Sequence, residues 1–365
     1  MAAKPGQVRR RIPRVPLRPV RLAFSAGGWA RSLLQLLLAF AATLVIFAAL
    51  IAALGANPLD AFRALYEGAF GNKFNFGQTL MIASLLACTG LAAAIPFQAH
   101  LWNVGGEGQL WFGAFTAVAL ALLLPDGLAG WQAITLTVAG ATLAGALWGF
   151  IPGILKATVN ANEIITSLML VFIGIALGTY AITTLFPSQS NQTEAVAFDR
   201  LLPNIWTGTL VTLGALLAVG AVVLAWILMS RTPLGFEIRA VGLNRQAARI
   251  SGMRTGRVMV LAFAIGGAFG GLAGAIAVLG INGALVSGFS ANFGFIGIAV
   301  ALLARLKPAW IIPSAILFAA LRTGSNGLQA QTGISATVGE ILVTVFVVLL
   351  LAFGVIRLTY AEATQ

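Results

Sequence analysis

The sequence predicts an all-α, polytopic integral membrane protein, on the strength of its composition, the lengths of its apolar runs and the placement of its charges. Of 365 residues, 59% are hydrophobic and only 9% are charged, and the mean hydropathy is +0.96. A soluble domain carries roughly 25% charged residues and needs a polar shell to face water. This chain lacks the residues for such a shell, so lipid must be its solvent.

Residues 1–31 contain Pro5, Pro13, Pro16 and Pro19 among basic side chains and show no apolar periodicity, which predicts an irregular basic tail in the cytoplasm. Residues 33–54 follow as an uninterrupted apolar stretch. A span needs about 20 such residues and a signal-peptide core is shorter, so this stretch reads as a retained first helix. Further apolar stretches run over residues 78–97, 109–124, 131–155, 164–185, 209–229, 258–280, 293–304, 309–321 and 336–356, which makes about ten transmembrane helices. The stretches 293–304 and 309–321 are too short to cross about 30 Å of hydrocarbon alone. They read as half-helices or parts of tilted helices, as occur where irregular backbone lines a protected cavity, so broken or re-entrant helices are possible and the exact helix boundaries in 281–335 stay open. The membrane domain spans 32–357 and leaves 358–365 as a short C-terminal tail.

Charge placement orients the chain. Lys4 to Arg31 holds eight basic residues and no acid, and Arg231 to Arg257 holds six Arg against the single Glu237. With ten crossings and the N-terminus inside, only Arg63, Lys73, Arg200 and Arg322 of the 22 basic residues fall outside. The positive-inside rule therefore predicts that both termini are cytoplasmic. Basic flanks of membrane spans account for the net charge of +12 without nucleic acid.

Several function classes drop out. Cys88 and His100 are each alone, so neither a disulfide framework nor a histidine-based metal site can form. No GxxxxGK[ST] pattern occurs, so ATP is not hydrolysed here, and no cofactor or catalytic residue is expected of the chain. Gly266, Gly267, Gly270, Gly271 and Gly274 are spaced to form one smooth helix face for close packing.

The segment of residues 232–253, within a loop at about 230–257, is the most informative. Asn244 can cap a helix over Arg245 to Ser251, and Gly252 can end it. So short a helix needs a docking surface. Ala240, Val241, Ala247, Ala248 and Ile250 offer apolar packing that a pure charge anchor would not need.

This segment resembles the coupling loop of bacterial ABC importer permeases of the branched-chain amino acid, ribose and nucleoside group. NVGGEGQLWFGA at 103–114, NEIITSLML at 162–170 and GFIGIAVALLARLKP at 294–308 are similar to other signature stretches of that group, and the likeness covers about 30–356. The EGQ form at Glu107 to Gln109 and the NEIITSLML segment most resemble nucleoside permeases that work beside a paralogous permease. Arg305 and Lys307 depart from the pattern, where the group more often has small or apolar residues. The resemblance implies a permease subunit of the plasma (inner) membrane. Its partners would be ABC ATPase subunits that hydrolyse the ATP, a second paralogous permease and an extracytoplasmic substrate-binding lipoprotein that delivers nucleoside. Gly235, Glu237, Arg239, Ala240, Gly242, Asn244, Ala247, Ala248, Ser251 and Gly252 would form the ATPase-coupling loop. Ribose or another small polar solute is the alternative cargo, and an ion-coupled secondary transporter is the rival of a different class, for which Glu340 near the last span is the main support.

Ionisable groups at membrane depth are costly, so Glu107 and Glu163 either satisfy backbone groups at helix ends or contact substrate. Asn103 and Glu107, like Glu163 and Ser167, are four apart, as on a shared helix face, although Gly105, Gly106 and Gly108 suggest a broken helix at the first pair. A nucleobase calls for aromatic faces with amide and hydroxyl partners. The candidates for the translocation path are thus Trp102, Asn103, Glu107, Gln109, Asn162, Glu163, Ser167, Phe289, Asn292 and Phe293.

Overall fold

The computed structural model describes residues 20–24, 29–188, 190–352 and 356–360. Each of the ten apolar stretches lies on a helix: α1 (Trp29–Ala53), α3 (Lys73–Gln98), α4 (Gly106–Leu123), α5 (Gly130–Val159), α6 (Glu163–Tyr180), α7 (Leu213–Arg231), α10 (Thr255–Ile276), α11 (Phe293–Leu303), α12 (Ile311–Thr332) and α13 (Ala336–Ala352). Seven are long and apolar enough to cross a membrane alone. α11 and α12 form a pair bent by 113°, which could count as one more, and α13 is a shorter apolar helix of 17 residues. The bend explains why two short stretches were legible there: the elbow between them interrupts the hydropathy.

Three helices carry no apolar signature. α2 (Pro58–Phe70) starts at Asn57, whose side chain accepts from Leu59 N, with Pro58 in the first turn, where its missing N–H costs nothing. α8 (Pro233–Leu243) starts at Thr232, whose hydroxyl accepts from Gly235 N. α9 (Arg245–Ile250) starts at Asn244, whose carbonyl accepts from Gln246 N and Ala247 N at 3.0 Å each. Gly252 follows it at φ +86°, a left-handed position that suits only glycine without strain.

The tail is not wholly irregular: β1 (Val20–Phe24) pairs antiparallel with β2 (Ile356–Tyr360), setting the two flanking segments side by side. Extended backbone with its own partner thus replaces helix at Ile356, the last residue of the final apolar stretch. The remainder of the tails, 1–19, 25–28 and 361–365, lies outside the described residues.

α3 and α10 form the centre, since most of the side chains of α3 and α10 are buried. The α10 glycines do not make one face. Gly267 and Gly271 oppose α5, where a Cβ at Gly267 would lie 2.2 Å from the carbonyl oxygen of Gly145. Gly266 meets the Ala92 carbonyl of α3, while Gly270 and Gly274 meet Gln109 and the Leu110–Ala114 backbone of α4. Residues three and four apart on a helix diverge by enough angle to serve different neighbours when the helix is surrounded.

On the opposite side from α8 and α9, α6 and α10 each end in a π-helical turn, Ala181–Leu185 and Ala277–Asn282. The loop between α6 and α7 closes over them through Val196 N to Gly283 O at 2.8 Å and Leu202 N to Leu279 O at 2.9 Å. Arg200 anchors this loop. Its buried guanidinium donates to Ala121 O (2.8 Å), Leu124 O (2.9 Å), Pro125 O (3.1 Å) and Asp126 Oδ1 (2.8 Å), so it satisfies the open carbonyls at the end of α4. Arg200→Ala is expected to cost about 2–4 kcal/mol, because the carbonyls of a helix C-terminus lose their donors. Asp126→Ala should change little, the carboxylate being fully exposed. Thermal unfolding of the two variants in detergent checks this, and equal melting shifts would refute it.

Candidate functional site

Two regions carry the side chains that the sequence singles out. The first surrounds the start of α4. After α3 the chain runs through irregular backbone and re-enters a helix at Gly106, so Asn103 and Glu107 do not share a helix face. Asn103 instead makes a turn: its carbonyl accepts from Gly105 N (3.1 Å) and Gln109 Nε2 (3.2 Å), while its amide donates to Ala92 O (2.9 Å) and Gln109 Oε1 (3.2 Å). Ser167 Oγ accepts from Val104 N at 3.3 Å. Glycines make this closeness possible, since a Cβ at Gly108 would stand 2.7 Å from Val171 Cα of α6.

Glu107 is 2% exposed. Its Oε2 accepts from Gly294 N at 2.7 Å, at the start of α11, and its Oε1 accepts from Trp111 Nε1 at 3.1 Å and from the Ser290 hydroxyl. Trp111 Nε1 also donates to Ser290 Oγ at 3.0 Å, and the Trp111 ring meets Phe289 edge-on at 4.7 Å. Thr89 Oγ1 donates to Phe293 O at 3.1 Å. Asn103, Glu107, Gln109, Ser167, Phe289 and Phe293 thus belong to one region that binds α4 to α3, α6 and the entry to α11. Trp111, Ser290 and Gly294 complete it and were not anticipated. Trp111 sits four residues after Glu107, a readable helical spacing, whereas nothing local marks a serine 183 positions away.

The other path candidates go elsewhere. Asn162 is exposed and caps α6, accepting from Ile164 N at 3.0 Å. Glu163 pairs with Lys156 at 2.9 Å across the α5–α6 turn. Trp102 packs on Phe97, with ring centroids 5.0 Å apart. Asn292, left-handed at φ 64°, is exposed beside a cavity of about 180 Å³ that also touches Arg322 and Glu340, which form an ion pair between α12 and α13.

The second region is α8 and α9. Its glycines are internal: a Cβ at Gly235 would come 2.2 Å from Leu228 O, and one at Gly242 would come 2.0 Å from Gln98 O. Val241 and Ala248 are buried with them, and Arg239 donates to the Met229 carbonyl at the end of α7. Gly242 therefore faces its own bundle, and a bulky residue there would disturb the loop's seat before any partner. Outward stand Leu243 (75% exposed) and Ile250 (80% exposed), on either side of α9. Asn244, Arg245, Gln246, Ala247, Arg249, Ser251 and Gly252 are exposed as well, while Glu237 and Ala240 are half-buried. A cleft of about 860 Å³, bordered by Ala157, Arg245, Arg249, Ile250 and Thr255, adjoins this surface. No group of His, Cys, Asp and Glu among the described residues is arranged to hold a metal.

Residues 75–355 match the family described as the branched-chain amino acid transport system permease component. The chain belongs to that family. Among its relatives, the glucose ABC transporter permease TsgB13 of Haloferax volcanii is 33% identical over 85% of this chain and 84% of its own. The guanosine ABC transporter permease NupP of Bacillus subtilis is 32% identical, covering 83% of this chain and 88% of its own. The nucleoside ABC transporter permease NupB of Lactococcus lactis is 33% identical, covering 82% and 85%. The same two bacteria hold second, more distant matches, the guanosine permease NupQ at 24% and the nucleoside permease NupC at 27%. As a member of this permease family with seven helices able to cross on their own, the chain is a multi-pass protein of the plasma (inner) membrane. Permease subunits of this kind are not in themselves enzymes.

Proposed function

We propose that the chain forms half of the translocation pathway of an ATP-driven nucleoside importer, with α8 and α9 receiving the ATPase. The observation that carries the reading is the build of that loop. Gly235 and Gly242 seat it on α7 and α3, with Val241 and Ala248 buried, while Leu243 and Ile250 are exposed, where large apolar side chains gain nothing without a partner. An ATPase that does work on a membrane path must touch an element seated in the bundle, and α8–α9 is such an element. We read it as cytoplasmic from the basic residues around it, with both termini on that side and ten crossings, and the pairing of β1 with β2, which keeps the two ends together, supports that reading.

Nucleoside as the cargo rests on the likeness to NupP and NupB, and the paired permeases of their organisms support a heterodimer with a paralogous subunit. A substrate-binding lipoprotein would deliver the solute. The equal likeness to TsgB13 favours a sugar as the second reading. In the assembled transporter, Leu243→Asp with Ile250→Asp is expected to lower ATPase association and uptake by more than tenfold, since each aspartate would bury an unpaired charge at the interface and a factor of ten is only about 1.4 kcal/mol. Membrane abundance should be unchanged, both sites being exposed. Uptake that persists without ATPase and follows an ion gradient would overturn the importer reading. Competition of labelled guanosine uptake by unlabelled ribose and glucose separates the two cargo classes.

A further inference from the structure

On the ten-crossing reading, α12 carries an arginine at the middle of the membrane. Arg322 lies midway between Ile311 and Thr332, so at about 1.5 Å per residue it is roughly 15 Å from either end of the helix. It pairs with Glu340 of α13, and the two side chains are 23% and 47% exposed. Charged groups at such depth face protein or water rather than hydrocarbon. Asn326, one turn further along the same face of α12, is exposed too. We propose that this face lines the solute path, and that the cavity of about 180 Å³ among α3, α12, α13 and the entry to α11 binds the sugar moiety of the solute through its hydroxyls. This rests on the importer reading and assigns residues to its path.

The lining side chains decide the solute class. Arg322 donates through Nη1 to Glu340 Oε1 and has other donors in its fork, while the second oxygen of the half-exposed Glu340 can accept. Asn292 and Thr344 border the same cavity, and each can both donate and accept. A cation would meet Arg322 and an anion would meet Glu340, so the ion pair selects neither. A neutral group that donates and accepts at once, as a sugar hydroxyl does, suits both members. Glu340, the carboxylate that would support ion coupling, is thus held in a pair with a fixed cation. Phe293 and Phe318 are buried along the cavity and give an apolar wall for the C–H face of a sugar ring. Sites that enclose a whole drug-sized ligand measure roughly 300–1,000 Å³, so this smaller cavity suits one ring and leaves the rest of a nucleoside outside it.

Asn292 adds an independent observation. Asn57, Asn72, Asn162 and Asn244 also start helices, and each lends its side chain to a backbone N–H of the first turn. Asn292 starts α11 in a left-handed conformation, φ 64°, and its side chain makes no such cap bond. The Glu107 carboxylate meets Gly294 N in its place. The exposed amide of Asn292 is thereby left to the cavity. Thr344 spends its proton on its own helix, donating to Glu340 O at 3.1 Å, and its oxygen remains able to accept.

The test uses the complete transporter in proteoliposomes with saturating substrate-binding lipoprotein, and compares uptake rates within two matched solute pairs, guanosine with 2′,3′-dideoxyguanosine and glucose with 2-deoxyglucose. Asn292→Gly keeps a residue suited to the left-handed start of α11 while removing the amide, and Thr344→Val changes an exposed side chain at nearly constant size. For the pair that the transporter moves, each variant is expected to lower the preference for the fully hydroxylated member about three- to tenfold, the effect of losing one hydrogen bond. A lipoprotein that alone sets the preference would leave it unchanged in both variants, and that result overturns the proposal. Equal loss of both members together with loss of permease pairing would assign this face to the second subunit instead, and transport of neither pair would remove the sugar site. Uptake confined to the glucose pair would sink the nucleoside reading and leave the site standing. Ion-driven uptake without the ATPase would sink the importer reading while the variants still change the preference, so the failures are distinguishable.

Discussion

Gly267→Val is expected to remove nearly all folded protein. At this position α5 and α10 touch through bare backbone: a Cβ on Gly267 would meet Gly145 O at 2.2 Å, and one on Gly145 would meet Gly267 O at 2.3 Å. The contact repeats each turn, with Gly271 against Ala141 O and Gly149 against Phe263 O. In lipid there is no hydrophobic gain from bringing helices together, so close van der Waals contact of small residues carries much of their association. Valine would force the axes apart over all of these contacts at once. Overpacking of an ordinary core costs about 1–3 kcal/mol, and here the obstructing atoms are backbone on a rigid helix, which cannot rotate away as a side chain does. We expect at least a tenfold loss of monodisperse protein on size exclusion in mild detergent. Gly220→Ala, on α7, is the matched control, since a Cβ there meets nothing within 4 Å. It should stabilise by about 0.5–1 kcal/mol, through helix propensity and a less flexible unfolded chain. Normal yield of Gly267→Val would mean that the α5–α10 contact is not a determinant of the fold.

The contrast between these glycines shows what kinds of information a linear chain carries. Helix existence was legible wherever lipid demands about 20 apolar residues, and α9 was legible because a cap and a terminator are local chemistry within a few residues. The bent pair α11–α12 left two short apolar runs for the same reason. α2 and α8 escaped notice because helices of 13 and 11 residues with charges or loop neighbours have no hydropathy signal of their own. The glycines of α10 were visible as small residues, but which neighbour each meets depends on three other helices and cannot be read from spacing. The site divides in the same way. Asn103, Glu107, Gln109 and Ser167 were found because buried polar groups are conspicuous in apolar sequence, whereas Ser290 and Gly294, which satisfy Glu107, come from far along the chain. For α8 and α9, residue types indicated a packing surface, but only the fold separates the inward Gly242 and Val241 from the outward Leu243 and Ile250.

The second large effect concerns Glu107. Glu107→Ala is expected to cost about 3–6 kcal/mol, because it leaves Gly294 N, Trp111 Nε1 and the Ser290 hydroxyl short of an acceptor inside the bundle, at about 1–3 kcal/mol for each buried group left unsatisfied. Trp111 and Ser290 retain their mutual hydrogen bond at 3.0 Å, which keeps the sum toward the lower part of that range. Glu107→Gln separates charge from hydrogen bonding. Gly294 N can only donate, so the amide oxygen must face it, and the amide nitrogen then lies toward Ser290 Oγ, which can turn to accept. The glutamine variant should therefore fold with near-normal thermal stability and transport, while the alanine variant melts well below wild type and transports little. A group that reads substrate would behave otherwise: glutamine would raise the KM for uptake with stability unchanged. Measuring melting temperature and uptake KM on both variants decides between a strap that fixes the start of α11 and a contact in the path. The geometry favours the strap, because both carboxyl oxygens already have donors and the side chain is almost wholly enclosed. On this account the carboxyl supports transport indirectly, by tying the entry of a bent helix pair to α4.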